Sequence, residues 1–422
     1  MRWRFSPAWH PGEGREIPLR TDRYERKYCA TLNIWRNIMR LPVILAVILV
    51  FSAPAFGSQF TYWENLGDKA GDPRQEVVYY VNAVKAWERS DSREDLARIY
   101  RILGSVYIRL KRPDYAIDSI DMALKLSREN LGMAHNIRGV AYLTRHRYEK
   151  ALSDFIQALP TEEDPAVTHA NLCMGYTGME GYSTALGHCE KAIKLKPSQL
   201  EGFTARGLVY AELGDTGRAL ADLKKVLAAA GDTTTVLNVK DHGSSYKGML
   251  YSHIGYAHFK GGDYTAAEEN YNTAAKLSPA LAQNYWRRGR LRAAAGNKKK
   301  ALEDYSLALG LDPECVEAYN WRGQLYLEEK SYALALKDFN KALSISKPPS
   351  LLLHRGLCYL GLGKYKAALA DLDKFISKKP RVAPAYAARA EALEAAGEPE
   401  LAKSDRQAAC RFGHKRSCGG KN

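Results

Sequence analysis

Apolar side chains recur at intervals of three and four residues along most of the chain from Ala97 onward, in stretches split by short polar turns. That interval is the period of an α-helix with one buried face. The stretches come in pairs, and the pair recurs about every 34 residues, nine times, with starts at Ala97, Gly132, Ala166, Leu200, Gly248, Ala282, Val316, Pro349 and Ala383. No run alternates in the manner of a strand. The pattern predicts an all-α chain built from helical hairpins, none of which can bury its apolar faces without a neighbour stacked on it.

Aligned on these starts, the copies show which positions packing controls. Position 8 is Gly in seven repeats (Gly104, Gly139, Gly207, Gly255, Gly289, Gly323, Gly356), and position 20 is Ala in all nine, from Ala116 to Ala402. Position 27 is usually Ala, as in Ala123, Ala158 and Ala342. Small residues at these places let two helices cross closely, and large ones at position 11 (Tyr107, Tyr142, Tyr326) and position 24 (Phe155, Tyr271, Tyr305, Phe339) fill the space beside them. Turns such as Leu213-Gly214-Asp215 end the first helix, and Pro197, Pro279, Pro313 and Pro380 close the second at position 32. These residues resemble the tetratricopeptide repeat family over about three quarters of the chain. The resemblance implies a right-handed superhelix of antiparallel helix pairs, about nine to ten repeats. It also implies a concave groove, lined by positions 2, 5, 6, 9, 12 and 13 of the first helices, that holds peptides or partner proteins.

One feature departs from the family. Position 7, usually Leu there, is Arg in six repeats: Arg138, Arg206, Arg288, Arg322, Arg355 and Arg389. Position 23 is Asp in the same six: Asp154, Asp222, Asp304, Asp338, Asp371 and Asp405. The other three carry Leu103, Leu172 and Ile254 with Ser119, His188 and Asn270. Residues that come and go together predict an ion pair, within a repeat or between neighbours, because a guanidinium meets a carboxylate with two parallel hydrogen bonds. The competing reading is an arginine ladder for phosphate or nucleic acid.

The formal net charge of +15 raises that second possibility, but part of the charge lies upstream. Residues 1–55 hold nine Lys or Arg against four acids, leaving 53 basic against 43 acidic side chains in the rest. Within that segment, Met39 to Ala55 combines a basic start, an apolar run from Leu41 to Phe51 and an Ala-Pro-Ala end, the pattern of a secretory signal peptide. The run is short for a membrane span of about 20 residues. We read 39–55 as a signal peptide and 1–38 as a non-native or disordered extension. The alternative is an uncleaved inner-membrane anchor, with membrane contact only through Leu41–Phe51. Residues 56–96 read as a degenerate opening repeat, 97–233 and 248–416 as repeats 1–4 and 5–9, and 417–422 as a tail. The register slips once, so 234–247 is an insertion, read as a plain loop with a lid over the groove as the other possibility.

Among groove positions, the first repeat offers Arg98, Arg101, Ser105 and Arg109, the second and third Asn136 and Asn171, and the fifth His253, Tyr256 and Phe259. The sixth and seventh offer Trp286, Arg287, Arg290, Asn320, Trp321 and Gln324. Aromatics and Arg dominate binding hot spots, and amides can hold an extended backbone. We therefore assign partner binding to Trp286, Arg287, Arg290, Asn320, Trp321, Gln324 and Tyr256, against the plainer reading that one Trp is core and the Arg are solvated.

Six of the seven Cys follow the proposed cleavage point. Cys173 and Cys189 replace the residues of positions 8 and 24 in one repeat, and Cys410 and Cys418 flank the last turn. Either pair could form a disulfide or stay as free thiols; Cys315 and Cys358 read as packing residues. There is no Cys-x-x-Cys, no phosphate-binding Gly loop and no metal-ligand spacing of His, so no catalytic residue, metal or cofactor is expected. The chain thus reads as a non-enzymatic interaction scaffold with a protein or peptide partner, exported, in a bacterium, to the periplasm or cell envelope. The runner-up is a membrane-anchored or cytosolic adaptor whose basic surface binds acidic proteins or nucleic acid. A third class is an assembly subunit that oligomerises through the solenoid ends.

Overall fold

The computed structural model describes residues 59–88, 91–162, 164–230 and 246–418. The signal or anchor at 39–55, the extension before it, and nearly all of the insertion lie outside these residues. Within them are twenty α-helices and no strand.

Helices α1 (Gln59–Lys69) and α2 (Pro73–Ala86) form an opening pair, with Tyr80 and Ala83 of α2 buried. The nine repeats follow: α3 (Arg93–Arg109) with α4 (Pro113–Leu126), α5 (Leu131–Thr144) with α6 (Tyr148–Ala158), α7 (Pro165–Gly178) with α8 (Tyr182–Leu195), and α9 (Leu200–Glu212) with α10 (Thr216–Ala229). After the insertion come α11 (Tyr246–Lys260) with α12 (Tyr264–Leu277), α13 (Ala282–Ala294) with α14 (Lys298–Leu311), α15 (Val316–Glu328) with α16 (Tyr332–Ile345), α17 (Pro349–Gly361) with α18 (Tyr365–Lys378), and α19 (Ala383–Ala395) with α20 (Pro399–Arg411). Each helix packs on its partner and on the first helix of the next pair, and the first helices also pack on one another, so they form one continuous layer.

The glycines of position 8 are there for space. A Cβ on Gly139 would sit 2.5 Å from the Phe155 ring, one on Gly289 2.8 Å from Tyr305, and one on Gly323 2.8 Å from Phe339. Position 24 thus lies flat on the backbone of the first helix, and Phe155, Tyr271, Tyr305 and Phe339 are fully buried there.

Each Arg of position 7 grips the Asp of position 23 in its own repeat with both Nε and Nη2; for Arg322 and Asp338 both contacts are 2.8 Å. The same geometry holds for Arg138, Arg206, Arg288, Arg355 and Arg389. The remaining Nη1 of five of these arginines reaches back to position 25 of the preceding repeat: Asp121, Asn272, Ser306, Asn340 and Asp373. One guanidinium therefore joins three helices. Where the Arg is missing, Ser119 and Asn270 turn back to the carbonyl four residues earlier in their own helix, at 2.8 and 2.7 Å. In the third repeat a Cys173–Cys189 disulfide links the same two helices instead. A second disulfide, Cys410–Cys418, ties α20 to the final turn, and Cys315 and Cys358 are buried free thiols.

Candidate functional site

The first helices present one face inward, and α13 carries Gln283, Trp286, Arg287 and Arg290 along it at spacings of three and four residues. From α15 come Asn320 and Trp321, and from α11 come His253 and Tyr256. The face borders a channel of about 950 Å³ whose other walls come from α7, α9 and the turns of repeats 1 and 2. Six of the seven residues assigned from the sequence line it; Gln324 sits just beyond and donates its Nε2 to Asn320 Oδ1 at 3.0 Å, an oxygen that His354 Nδ1 also meets at 3.2 Å. Burial pushes His354 down to about 4, so it is the neutral ring that meets Asn320 at neutral pH.

The two channel arginines are held by rings. The Arg290 guanidinium lies 4.2 Å from the centre of the Trp321 ring and 5.0 Å from that of Phe259. Arg287 lies 5.1 Å from Tyr256 and 5.4 Å from Trp286, and donates to the Ser252 backbone and hydroxyl oxygens at 3.3 Å. Burial lowers the Arg287 pKa, and neighbouring Tyr271, Tyr256 and Glu317 offset part of that effect. Tyr256 donates its hydroxyl to Glu212, which also accepts from Lys260 at 3.0 Å; burial and then Glu212 raise the Tyr256 pKa. Trp286 packs on the hydrophobic clusters around Tyr285 and Tyr305, so it is part wall and part core. His253 is buried with Nδ1 unpartnered, and burial followed by the Arg287 charge drives its pKa well down.

The first repeat does not supply binding arginines. Arg98 pairs with Glu64, Arg101 is buried against Glu94 at 2.6 Å, and Arg109 pairs with Glu76. Arg98 and Arg109 seat the opening helix pair, because Glu64 stands on α1 and Glu76 on α2, whereas Arg101 is paired within α3 itself. Asn171 and Asn136 bond each other at 2.9 Å.

Sequence reasoning missed the contact that closes the channel. The turn after α5 meets the turn before α15 and the end of α16. There Arg145 bridges Asp114 at 2.5 Å and Glu314 at 3.3 Å, Ser346 donates to the Arg145 carbonyl at 2.6 Å, and His146 Nε2 lies 3.4 Å from Glu317. His146 Nδ1 bonds the Tyr148 hydroxyl at 2.7 Å. Burial alone would lower the His146 pKa, but the hydrogen bond and charge of Glu317 leave it raised; burial raises and His146 more than reverses the Glu317 pKa, which is lowered. These partners are separated by about 170 to 200 residues, and no local signal in the sequence announces them.

Among the described residues no group of His, Cys, Asp and Glu could hold a metal ion, and no helix is long and apolar enough to cross a membrane.

Sequence profiles of the tetratricopeptide repeat match residues 253–313, 280–350 and 350–381. The chain is 28% identical over 127 residues to the small glutamine-rich tetratricopeptide repeat-containing protein 2 of Saccharomyces cerevisiae, a stretch covering 30% of this chain and 36% of that protein. It is 32% identical over 91 residues to heat shock protein STI1 of the same yeast, 21% of this chain and 15% of the relative. The matches thus span little more than a third, or less, of these relatives. Among solved structures, the Cut9-Hcn1 hetero-tetramer of the APC/C superposes with a TM-score of 0.51 at 14% identity, over 85% of this chain and 86% of that one, a likeness of fold. The chain therefore carries tetratricopeptide repeats over residues 253–381, and the same stacked helix pairs continue through the other repeats.

Proposed function

We propose that this protein is a non-enzymatic scaffold that holds an extended segment of a partner protein in the channel bordered by α11, α13 and α15. The observation that carries the reading is the pairing of Trp286 and Trp321 with ring-stacked Arg287 and Arg290 on one wall of a channel of about 950 Å³. That space admits an extended chain and not a folded domain. Its polar groups are already held in place by neighbouring rings, so binding costs little ordering of the scaffold. Relatives with tetratricopeptide repeats, such as the Hsp70-Hsp90 organizing protein of Triticum aestivum, 31% identical over 91 residues, favour a protein partner over a small molecule. The test is recovery of partners by the full chain and by its Trp286→Ala and Trp321→Ala variants. A partner lost by either variant supports the site, and one held unchanged by both contradicts it.

We further infer that the protein works outside the cytosol. The signal-like run at 39–55 supports this, and so do two cysteine pairs placed for disulfides, since such bonds persist in oxidising compartments. Mass spectrometry without reduction should find Cys173–Cys189 and Cys410–Cys418 linked, and N-terminal sequencing should begin after residue 55. Free thiols at all four positions, or an intact segment before residue 39, would contradict it.

A further inference from the structure

Position 26 of the repeat, on the second helix, is Lys in repeats 3, 4, 7 and 8 (Lys191, Lys225, Lys341 and Lys374) and in none of the other five. Packing does not ask for it, since all four lysines are exposed. What these repeats share is their place in the superhelix. Repeat 2 meets repeat 7 where Ser346 bonds the Arg145 carbonyl, and one step along, Glu180 in the turn of repeat 3 lies 3.6 Å from Lys379 at the end of repeat 8. Repeat 3 therefore stands over repeat 8, with repeats 4 and 7 flanking them. Their second helices α8, α10, α16 and α18 share one outer side of the superhelix, away from the channel that the first helices line.

That side is positively charged. There are two lysines each on α8, α10 and α16 and three on α18, nine in all. Among the described residues none of the nine pairs with a carboxylate; the lysines that do are Lys196, Lys260, Lys298 and Lys379. Asp222, Asp338, Asp371 and Asp373 of the same helices are each held by an arginine of a first helix, which leaves Glu190 as their one unpaired acid.

Apolar side chains stand among these charges. Leu195 of α8 and Leu334 of α16 are half exposed. Beside the contact of Glu180 with Lys379, a cleft of about 480 Å³ opens between α6 and the end of α7, lined by Leu152, Ile156, Tyr176 and Met179. Unpaired lysines interleaved with exposed leucines suit the interface of a bilayer, where cations meet headgroups and apolar side chains reach the acyl boundary. Nucleic acid calls rather for guanidinium forks or stacked rings, and the single arginine on these four helices, Arg218, is held by Asp215. A superhelix meets a flat surface along a line parallel to its axis, and repeats 3 and 8 lie on such a line. We propose that this outer side docks on an anionic lipid bilayer, with Lys191, Lys225, Lys341 and Lys374 at the headgroups and Leu195 and Leu334 below them. The docked chain keeps its channel free for a partner, so this inference stands or falls apart from the scaffold reading.

The experiment is flotation of the full chain with vesicles of phosphatidylcholine alone and with one third phosphatidylglycerol, in parallel with two fourfold variants. One carries Lys191→Gln, Lys225→Gln, Lys341→Gln and Lys374→Gln. The other carries Lys125→Gln, Lys276→Gln, Lys299→Gln and Lys300→Gln, at lysines that are also exposed and unpaired but stand on repeats 1, 5 and 6. Both variants lose the same charge and keep residues 1–55, so their difference reads only where the lysines are. The unaltered chain should prefer the anionic vesicles. The first variant should bind them about a hundredfold more weakly or worse, at about fivefold for each lysine, and the second should bind as the unaltered chain does. Raising the salt from about 0.05 to about 0.5 M should release most of the bound chain. Both variants should melt with the unaltered chain, since the replaced side chains are exposed and Gln suits a helix. Equal loss in the two variants would reveal an effect of net charge alone and overturn the inference, as would no preference for the anionic vesicles. Tighter binding of duplex DNA than of vesicles, lost in the first variant only, would assign the lysines to nucleic acid and also overturn it.

Discussion

At position 15 the backbone of all nine repeats turns left-handed, and the residue carried there decides what this costs. Gly214, Gly262, Gly296, Gly363 and Gly397 adopt it freely, whereas Lys111, His146, Glu180 and Lys330 hold φ between 54° and 64° with a side chain present. Lys330→Gly should therefore stabilise the chain by about 0.5–1 kcal/mol in denaturant unfolding. His146→Gly should not, because it also removes the contact with Glu317. The Arg and Asp of positions 7 and 23 give a second test. Arg322→Leu leaves Asp338 buried without its partner, so it should cost about 3 kcal/mol, more than Arg322→Leu combined with Asp338→Leu. Additive costs would contradict the pairing. This pair could be read from the chain because nine aligned copies show covariation within one sequence. The third partner at position 25 could not, since Asp121, Asn272, Ser306, Asn340 and Asp373 share no single residue type.

For the helices, two glycines in adjacent elements separate packing from propensity. Gly323 in α15 lies under the Phe339 ring, while a Cβ on Gly310 in α14 would meet nothing within 4 Å. Gly323→Ala should thus destabilise by about 1–3 kcal/mol through overpacking. Gly310→Ala should stabilise by about 0.5–1 kcal/mol by restricting the unfolded chain. Thermal or denaturant unfolding of both variants reads the opposite signs. The helices and their pairing were legible because spacing alone sets them. The first-repeat arginines Arg98, Arg101 and Arg109 occupy groove positions without an assigned binding role, and the partners they meet could not be read from spacing: the opening pair supplies Glu64 and Glu76 while α3 adds Glu94.

Over the whole molecule, the small rotation between successive repeats accumulates until repeat 2 meets repeat 7. That sum depends on every interface in between, so no window of sequence contains it. The closing contact should depend on pH. Glu317, held below its ordinary value of 4.5, contributes stability above that pH and loses it as pH falls through the lowered value. His146, held above its ordinary value of 6.5, contributes fully below 6.5 and loses it as pH rises through the raised value. The contact is therefore strongest between about 4.5 and 6.5 and weakens toward alkaline pH. Arg145, Glu314, Tyr148 and Cys315 face the pair as well and do not reverse this order. Hydrodynamic radius followed from pH 6 to pH 9 should rise for the unaltered chain and start high for His146→Gln. A radius that ignores both pH and the substitution would show that the contact does not hold the turns together.

The claim on which the functional reading turns is that Trp286 and Trp321 form the centre of the binding wall. Calorimetric titration of a display-selected peptide into the full chain and into its Trp286→Ala, Trp321→Ala double variant tests it most directly. The expected result is a loss of affinity of at least about thirtyfold, about 2 kcal/mol, in a variant that stays folded. Equal affinity for the two proteins would contradict it.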